Sequence, residues 1–246
     1  MSPATTAVLY APGTNCHEET AAAIELAGGR VEVVLLHDLL DGTQRLNEFQ
    51  AAVIPGGFSF GDHLGAGRVF ATLLVARLCE QLQEFLDTGK PLLGICNGFQ
   101  VLSEAGVLPG RSPGRPSMAL LENESAHFED RKVRLSVTAP ETLWTRGLSG
   151  QILEIPSAHG EGRAVFQGMD SPNGPRVALR YADAAGNPAS GFPDNPNGSK
   201  DAIAGMTDET GRVLGLMPHP ERASFPANYS QDGLKIFKNL VDWLGG

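Results

Sequence analysis

The sequence predicts an α/β fold of three layers, α/β/α, in which a mostly parallel sheet is extended by antiparallel strands. Through about residue 108, short apolar runs alternate with segments whose apolar residues recur every three or four positions. Strands and crossover helices read this way when they build a parallel sheet. Beyond that point strand-like runs and loops follow one another without intervening helices, the pattern of antiparallel additions. Length is the third observation. A chain of 246 residues, 41% of them hydrophobic, can form one domain over 1–246 with a large core, and it shows neither an internal repeat nor a linker.

Residues 6–11 are the first buried strand, closed by Pro12-Gly13-Thr14-Asn15. Glu18, Glu19 and Thr20 open a short helix that runs to Ala27 and stops at Gly28-Gly29. Strands follow at 31–36 and 51–54, the latter ending at Pro55-Gly56-Gly57. Over 68–88 the spacing of Phe70, Leu74, Leu78, Leu82 and Phe85 predicts the clearest helix, with Leu73 and Leu86 on its flank and Cys79 placed in the core beside it. A strand at 92–95 comes next, then a turn-rich link at 109–114. Residues 132–137 alternate as a half-exposed strand does, and further strands are expected at 152–155, 177–181, 202–206 and 213–217. Residues 183–200, rich in Gly, Pro, Asn and Asp, read as an exposed, mobile loop. A final helix carries Leu234, Phe237, Leu240, Val241 and Leu244 on one face and is expected to pack back on the sheet.

A net charge of −9 and a pI near 5.1 argue against nucleic acid or an anionic membrane as the main partner, since both attract basic surfaces. No apolar run is long enough to span a bilayer and the first dozen residues lack a secretory pattern, so a cytoplasmic protein is expected. Met1 lies a few positions before the first strand, which predicts a separate subunit rather than a fusion. Cys16, Cys79 and Cys96 are odd in number and form no Cys-x-x-Cys pair, so neither a disulfide framework nor a metal site is expected.

Chemistry concentrates in three stretches that end predicted strands, where open α/β sheets place their active sites. In Gly94-Ile95-Cys96-Asn97-Gly98-Phe99-Gln100 a strand turns sharply into a helix. Glycines on either side permit a tight turn that exposes Cys96 at a helix N-terminus, where unpaired N–H groups favour the thiolate. Alone, the motif is equally compatible with a simply buried cysteine. In Pro218-His219-Pro220-Glu221-Arg222 the proline restricts the backbone so that His219 and Glu221 can lie on one side. A carboxylate there fixes the imidazole tautomer and leaves the second nitrogen for a thiol. Gly56-Gly57 can be a mere strand-terminating turn, or it can aim a backbone N–H at a developing oxyanion, with Asn97 supplying a second donor.

Together these stretches resemble the class I (triad) glutamine amidotransferases, whose flavodoxin-like fold is the one read above. Within that class, residues 55–62, 94–100, 158–163 and 217–222 resemble the glutaminase subunit of phosphoribosylformylglycinamidine synthase, as does the Gly13-Thr14-Asn15 turn. Asn97 is informative, because many members of the class carry an apolar residue after the cysteine. Phe60 stands where Tyr is frequent and Gly65 where Arg is often found, which bears on a partner or substrate surface and not on the chemistry. The resemblance implies a catalytic triad of Cys96, His219 and Glu221, oxyanion donors Gly57 and Asn97, and Gln100 and His159 at the glutamine pocket. It implies hydrolysis of glutamine to glutamate and ammonia through a Cys96 thioester. It further implies ammonia delivery to a large synthetase subunit that uses ATP and Mg in purine synthesis, with a small third subunit. This chain lacks a Gly-x-x-x-x-Gly-Lys-Ser/Thr loop, so no cofactor is assigned to it. Another class I amidotransferase subunit, or a cysteine hydrolase on the same fold, is the alternative; a decayed interaction module is disfavoured by the intact triad. His159 is the rival base, for which a helper or interface role is expected rather than proton transfer. Arg222 either anchors Glu221 or faces a partner, Cys16 is expected to be structural, and His63 is expected in a solvated loop. His17, His37 and His127 have no partner in sequence.

Overall fold

The computed structural model describes residues 4–138, 141–166 and 176–245. In chain order its elements are β1 (Thr5–Tyr10), α1 (His17–Leu26), β2 (Arg30–Leu35), α2 (Leu36–Asp41), β3 (Ala51–Ile54), α3 (Arg68–Asp87), β4 (Leu92–Ile95) and α4 (Asn97–Glu104). There follow β5 (Met118–Glu122), β6 (Glu129–Val137), β7 (Ile152–His159), β8 (Glu161–Phe166), β9 (Arg176–Ala182), β10 (Ile203–Thr207), β11 (Val213–Leu216) and α5 (Leu234–Trp243). Nine strands form one sheet in the order β2-β1-β3-β4-β11-β10-β9-β6-β7, and β5 pairs with β8 apart from it.

β2, β1, β3, β4 and β11 run parallel, and β10, β9, β6 and β7 continue antiparallel, as expected. The two halves differ in sequence for a physical reason. β3, β4 and β11 are buried throughout, because helices cover both faces, and they read as unbroken apolar runs. β6 alternates buried and exposed residues along much of its length. The β1-to-β2 and β3-to-β4 crossovers run in opposite directions across the sheet, so right-handed connections put α1 and α3 on opposite faces. α1 packs with α5, and α3 with α4. The expected α3 stripe of Phe70, Leu74, Leu78, Leu82, Phe85 and Leu86 is buried, as are Phe237, Leu240 and Val241 of α5. Among the described residues no helix is long and apolar enough to cross a membrane.

Several expectations need correction. The second strand ends at Leu35, and Leu36 begins α2 instead. β5 and β8 were not expected as strands, β8 because Gly162 and Arg163 lie within a polar, glycine-rich stretch that masks alternation. Cys79 is half-buried rather than core, since it lies off the apolar stripe. The 183–200 segment is not simply an exposed loop: Ala189, Asn195, Asn197 and Ser199 are buried. Asn197 Nδ2 donates to Gly162 O (2.8 Å) and Tyr181 Oη (3.2 Å), and Asn195 Nδ2 to Ser199 O (2.9 Å). Hydrogen bonding, not apolar content, allows that segment to be buried.

Candidate active site

Four parallel neighbours, β1, β3, β4 and β11, deliver their C-terminal ends to one edge of the sheet, and the register pairs Ile54 with Gly94 and Leu216 with Ile95. The loops that follow therefore meet: residues 12–16 after β1, 55–62 after β3, Cys96 after β4 and 217–222 after β11. They line a cavity of about 230 Å³ with Cys96, Gln100 and His219 on its wall, joined by His159 from the end of β7.

Cys96 occupies the sharp turn between β4 and α4 with φ 48° and ψ −104°, a conformation L residues rarely adopt. Helix α4 can begin there because Gly98 lies against β3, where any side chain would overlap the Ile54 carbonyl. The thiol is 6% exposed and makes a long contact of 3.6 Å with Ala158 O. Asn97 is the first residue of α4, a position whose backbone N–H has no carbonyl to bond inside the helix, whereas Phe99 and Gln100 N–H already bond to Cys96 O. Gly57 (φ 140°) faces Thr14 across an isolated bridge held by Phe58 N–H to Gly13 O and Cys16 N–H to Gly56 O. Those bonds leave the Gly57 N–H out of the bridge. A Cβ on Gly57 would come within 2.7 Å of Asn15 N, so the close approach requires glycine.

His219 and Glu221 are 2% and 0% exposed, and His219 Nδ1 lies 2.6 Å from Glu221 Oε1. The carboxylate accepts, so Nδ1 carries the proton and Nε2 is left over. Nε2 is buried and has no hydrogen-bond partner among the described residues. Burial alone would lower the pKa of His219, but the Glu221 charge, followed by the nearby Cys96 and Cys16 sulfurs, outweighs it and holds the imidazole well above its ordinary value. Catalytic hydrogen bonds are often loose before the reacting group arrives, so the absence of a bond to Nε2 is compatible with a thiol–imidazole pair.

His159 is equally buried but differently partnered. Asn123 Nδ2 donates to the carbonyls of His127 (2.9 Å) and His159 (2.7 Å), which leaves its Oδ1 to accept from His159 Nδ1 at 3.0 Å. Burial, and then the charge of His219, push the His159 pKa down to about 3, so the ring is neutral.

Gln100 lines the cavity, as expected of a pocket residue, but its amide is bound at both ends: Oε1 accepts from Asn97 Nδ2 (2.9 Å) and Nε2 donates to Glu161 O (2.6 Å). His63 is exposed, in line with a loop histidine. Cys16, expected to be structural on a loop that could lie close to Cys96, is in the wall of the same cavity. It is 1% exposed, and Arg222 Nη2 donates to its sulfur at 3.2 Å while Arg222 Nε donates to Glu19 at 2.9 Å. Of the two readings of Arg222, the structure therefore gives a third, an ion pair with Glu19. The one cluster among the described residues with metal-ligand chemistry is Cys16, His219 and Glu221, whose donor atoms lie within 4.8 Å of one another. The Arg222 guanidinium on Cys16 opposes a cation there. Asn123 escaped the sequence reading because it acts through contacts between distant segments; for Cys16 the place after the first strand suggested nearness to Cys96, but its Arg222 partner left no local signal.

A thiol at a strained strand-to-helix turn, a buried imidazole fixed by a carboxylate, and two backbone N–H groups without a partner among the described residues are the parts of an acyl-transfer site. The matching family is the CobB/CobQ-like glutamine amidotransferase domain, over residues 4–244, and the chain belongs to it. Within it, the chain resembles phosphoribosylformylglycinamidine synthase subunit PurQ. It is 42% identical to that subunit of Dehalococcoides mccartyi, covering 99% of this chain and 98% of the relative. The Pyrococcus horikoshii subunit is 41% identical over 97% of each chain. A solved chain in the structure of PurLQS from Thermotoga maritima superposes with a TM-score of 0.80 at 34% identity, covering 99% of this chain and 100% of that one.

Proposed function

We propose that this chain is the glutaminase subunit of a phosphoribosylformylglycinamidine synthase, acting as one amidotransferase domain in the cytoplasm. The buried His219–Glu221 pair behind the Cys96 turn carries this reading. His219 Nε2 takes the thiol proton, and Cys96 attacks the side-chain amide carbon of glutamine. The oxygen becomes an oxyanion that accepts from the Gly57 and Asn97 N–H groups; removing one such donor costs about 10²–10³ in rate. His219 returns its proton to the leaving nitrogen, and ammonia departs as the thioester forms. Water, deprotonated by the same nitrogen, then releases glutamate and restores the thiol. Glu221 holds the tautomer and stabilises the imidazolium throughout. No cofactor or metal is needed on this chain. ATP and Mg belong to a synthetase partner that consumes the ammonia, assisted by a small third subunit.

Glutamate release from glutamine, measured with and without the synthetase, tests the proposal. Turnover stimulated by the partner and abolished by Cys96→Ala is expected. A Cys96→Ala chain that keeps the stimulated rate would overturn it.

A further inference from the structure

The loop after β3 carries a carboxylate with no part in the chemistry above. Asp62 is half-buried on the wall of the cavity that holds Cys96. Its Oδ1 accepts from Gly67 N–H and Asn97 Nδ2, each at 3.1 Å, while Oδ2 receives only a long 3.4 Å contact from Asn97. Among the described residues no lysine or arginine pairs with it. The backbone reaches this position through three consecutive residues with positive φ, Phe60 (55°), Gly61 (71°) and Asp62 (52°). Such conformations are costly, and they concentrate where a side chain must be presented to a ligand. Burial pushes the Asp62 carboxyl up against the hydrogen bonds from Gly67 and Asn97, so the carboxylate gains from any cation brought to Oδ2.

The anchor of this carboxylate is the residue directly after the nucleophile. Asn97 is 2% exposed, its Oδ1 accepts from Ser59 N–H at 3.1 Å, and its Nδ2 is shared between Asp62 and Gln100. The loop and the turn are thereby tied together, and Asp62 is held at a fixed offset from the thiol. A glutamine whose amide carbon sits at Cys96 carries an α-ammonium group at its other end that needs an acceptor. We propose that Asp62 accepts the α-ammonium group of glutamine through Oδ2, and that Asn97 holds it in place to do so. This rests on the glutaminase reading. Glu161 is the other carboxylate on the cavity wall, but no hydrogen bond to its side chain fixes it among the described residues, whereas Asp62 is held from two directions.

The experiment compares hydrolysis of glutamine with that of glutaramate, which is glutamine without its α-amino group, by the chain in complex with its synthetase. A charge-assisted bond of this kind predicts a wild-type preference of roughly 10- to 100-fold in kcat/KM for glutamine. Asp62→Asn is expected to lose most of that preference through KM, with kcat within about threefold. Asp62→Glu, which keeps the charge, is expected to restore part of it. A wild-type complex that releases ammonia equally well from both amides overturns the Asp62 proposal and leaves the glutaminase reading intact, whereas one that hydrolyses neither overturns the glutaminase reading. The Asp62 proposal also fails if Asp62→Asn keeps the full preference, if the Glu variant loses as much as the Asn variant, or if Glu161→Gln is the substitution that abolishes it.

Discussion

Two histidines line the cavity of Cys96, each 2% exposed, and the protein drives them in opposite directions. His219 sits against the full charge of Glu221 and is held above its ordinary pKa; His159 sits against the amide of Asn123 and falls to about 3. Burial penalises the charged form of both. A carboxylate at 2.6 Å overcomes that penalty, whereas an amide dipole at 3.0 Å does not, and the His219 charge lowers His159 further. Depth of burial therefore does not decide which ring holds a proton. The charge of its partner does.

The largest test replaces the rings. His219→Asn is expected to reduce partner-stimulated glutaminase by roughly 10³–10⁴, within the range of lost general acid–base catalysis, while His159→Asn stays within about tenfold. Equal losses in steady-state kinetics would break the distinction. Glu221→Gln then removes the charge and keeps the hydrogen bond. It is expected to lower kcat by about 10²–10⁴, by analogy with triads that lose their carboxylate. His219, followed by its ring NMR signals across a pH series, should titrate below its wild-type value.

The two rings also leave opposite marks on stability. The raised His219 stabilises the fold fully below about pH 6.5 and loses that contribution as pH rises through its folded value. The depressed His159 stabilises above about pH 6.5 and loses it as pH falls toward 3. In the acid window His219 is protonated in both folded and unfolded chains, so it adds no slope. Denaturant midpoints between those pH values should therefore show a loss on the order of 4 kcal/mol that His159→Asn flattens. The smallest effect belongs to Asn123→Leu, which strands the His159 Nδ1–H and should cost about 1–3 kcal/mol of stability with little change in glutamine turnover.

The parallel half of the sheet was legible because buried strands write continuous apolar runs and α3 writes a clean stripe. β8 was not, since its residues satisfy a two-stranded pairing outside the main sheet and Gly162 breaks the alternation. At the site, the strand-end motifs that hold Cys96, Gly57 and His219 are local in sequence, so both the motifs and their meeting place at one sheet edge could be read. Pairings across 36 residues, such as Asn123 with His159, or 206, such as Arg222 with Cys16, leave no mark on local spacing. Asn97 was legible as a signature but not as a device: its backbone position could be read from the motif, whereas its side chain bonds into the 59–62 loop only once the fold closes.

The turn at Cys96 places this chain's chemistry and its durability in competition. With φ at 48° in a region that glycine occupies freely, cysteine is the costlier residue for the fold at this position, by an amount on the order of 1–3 kcal/mol. A lineage screened only for persistence at high temperature would drift toward glycine there and become a well-folded, inert passenger. A thiol at that point therefore costs the fold stability that glycine would not.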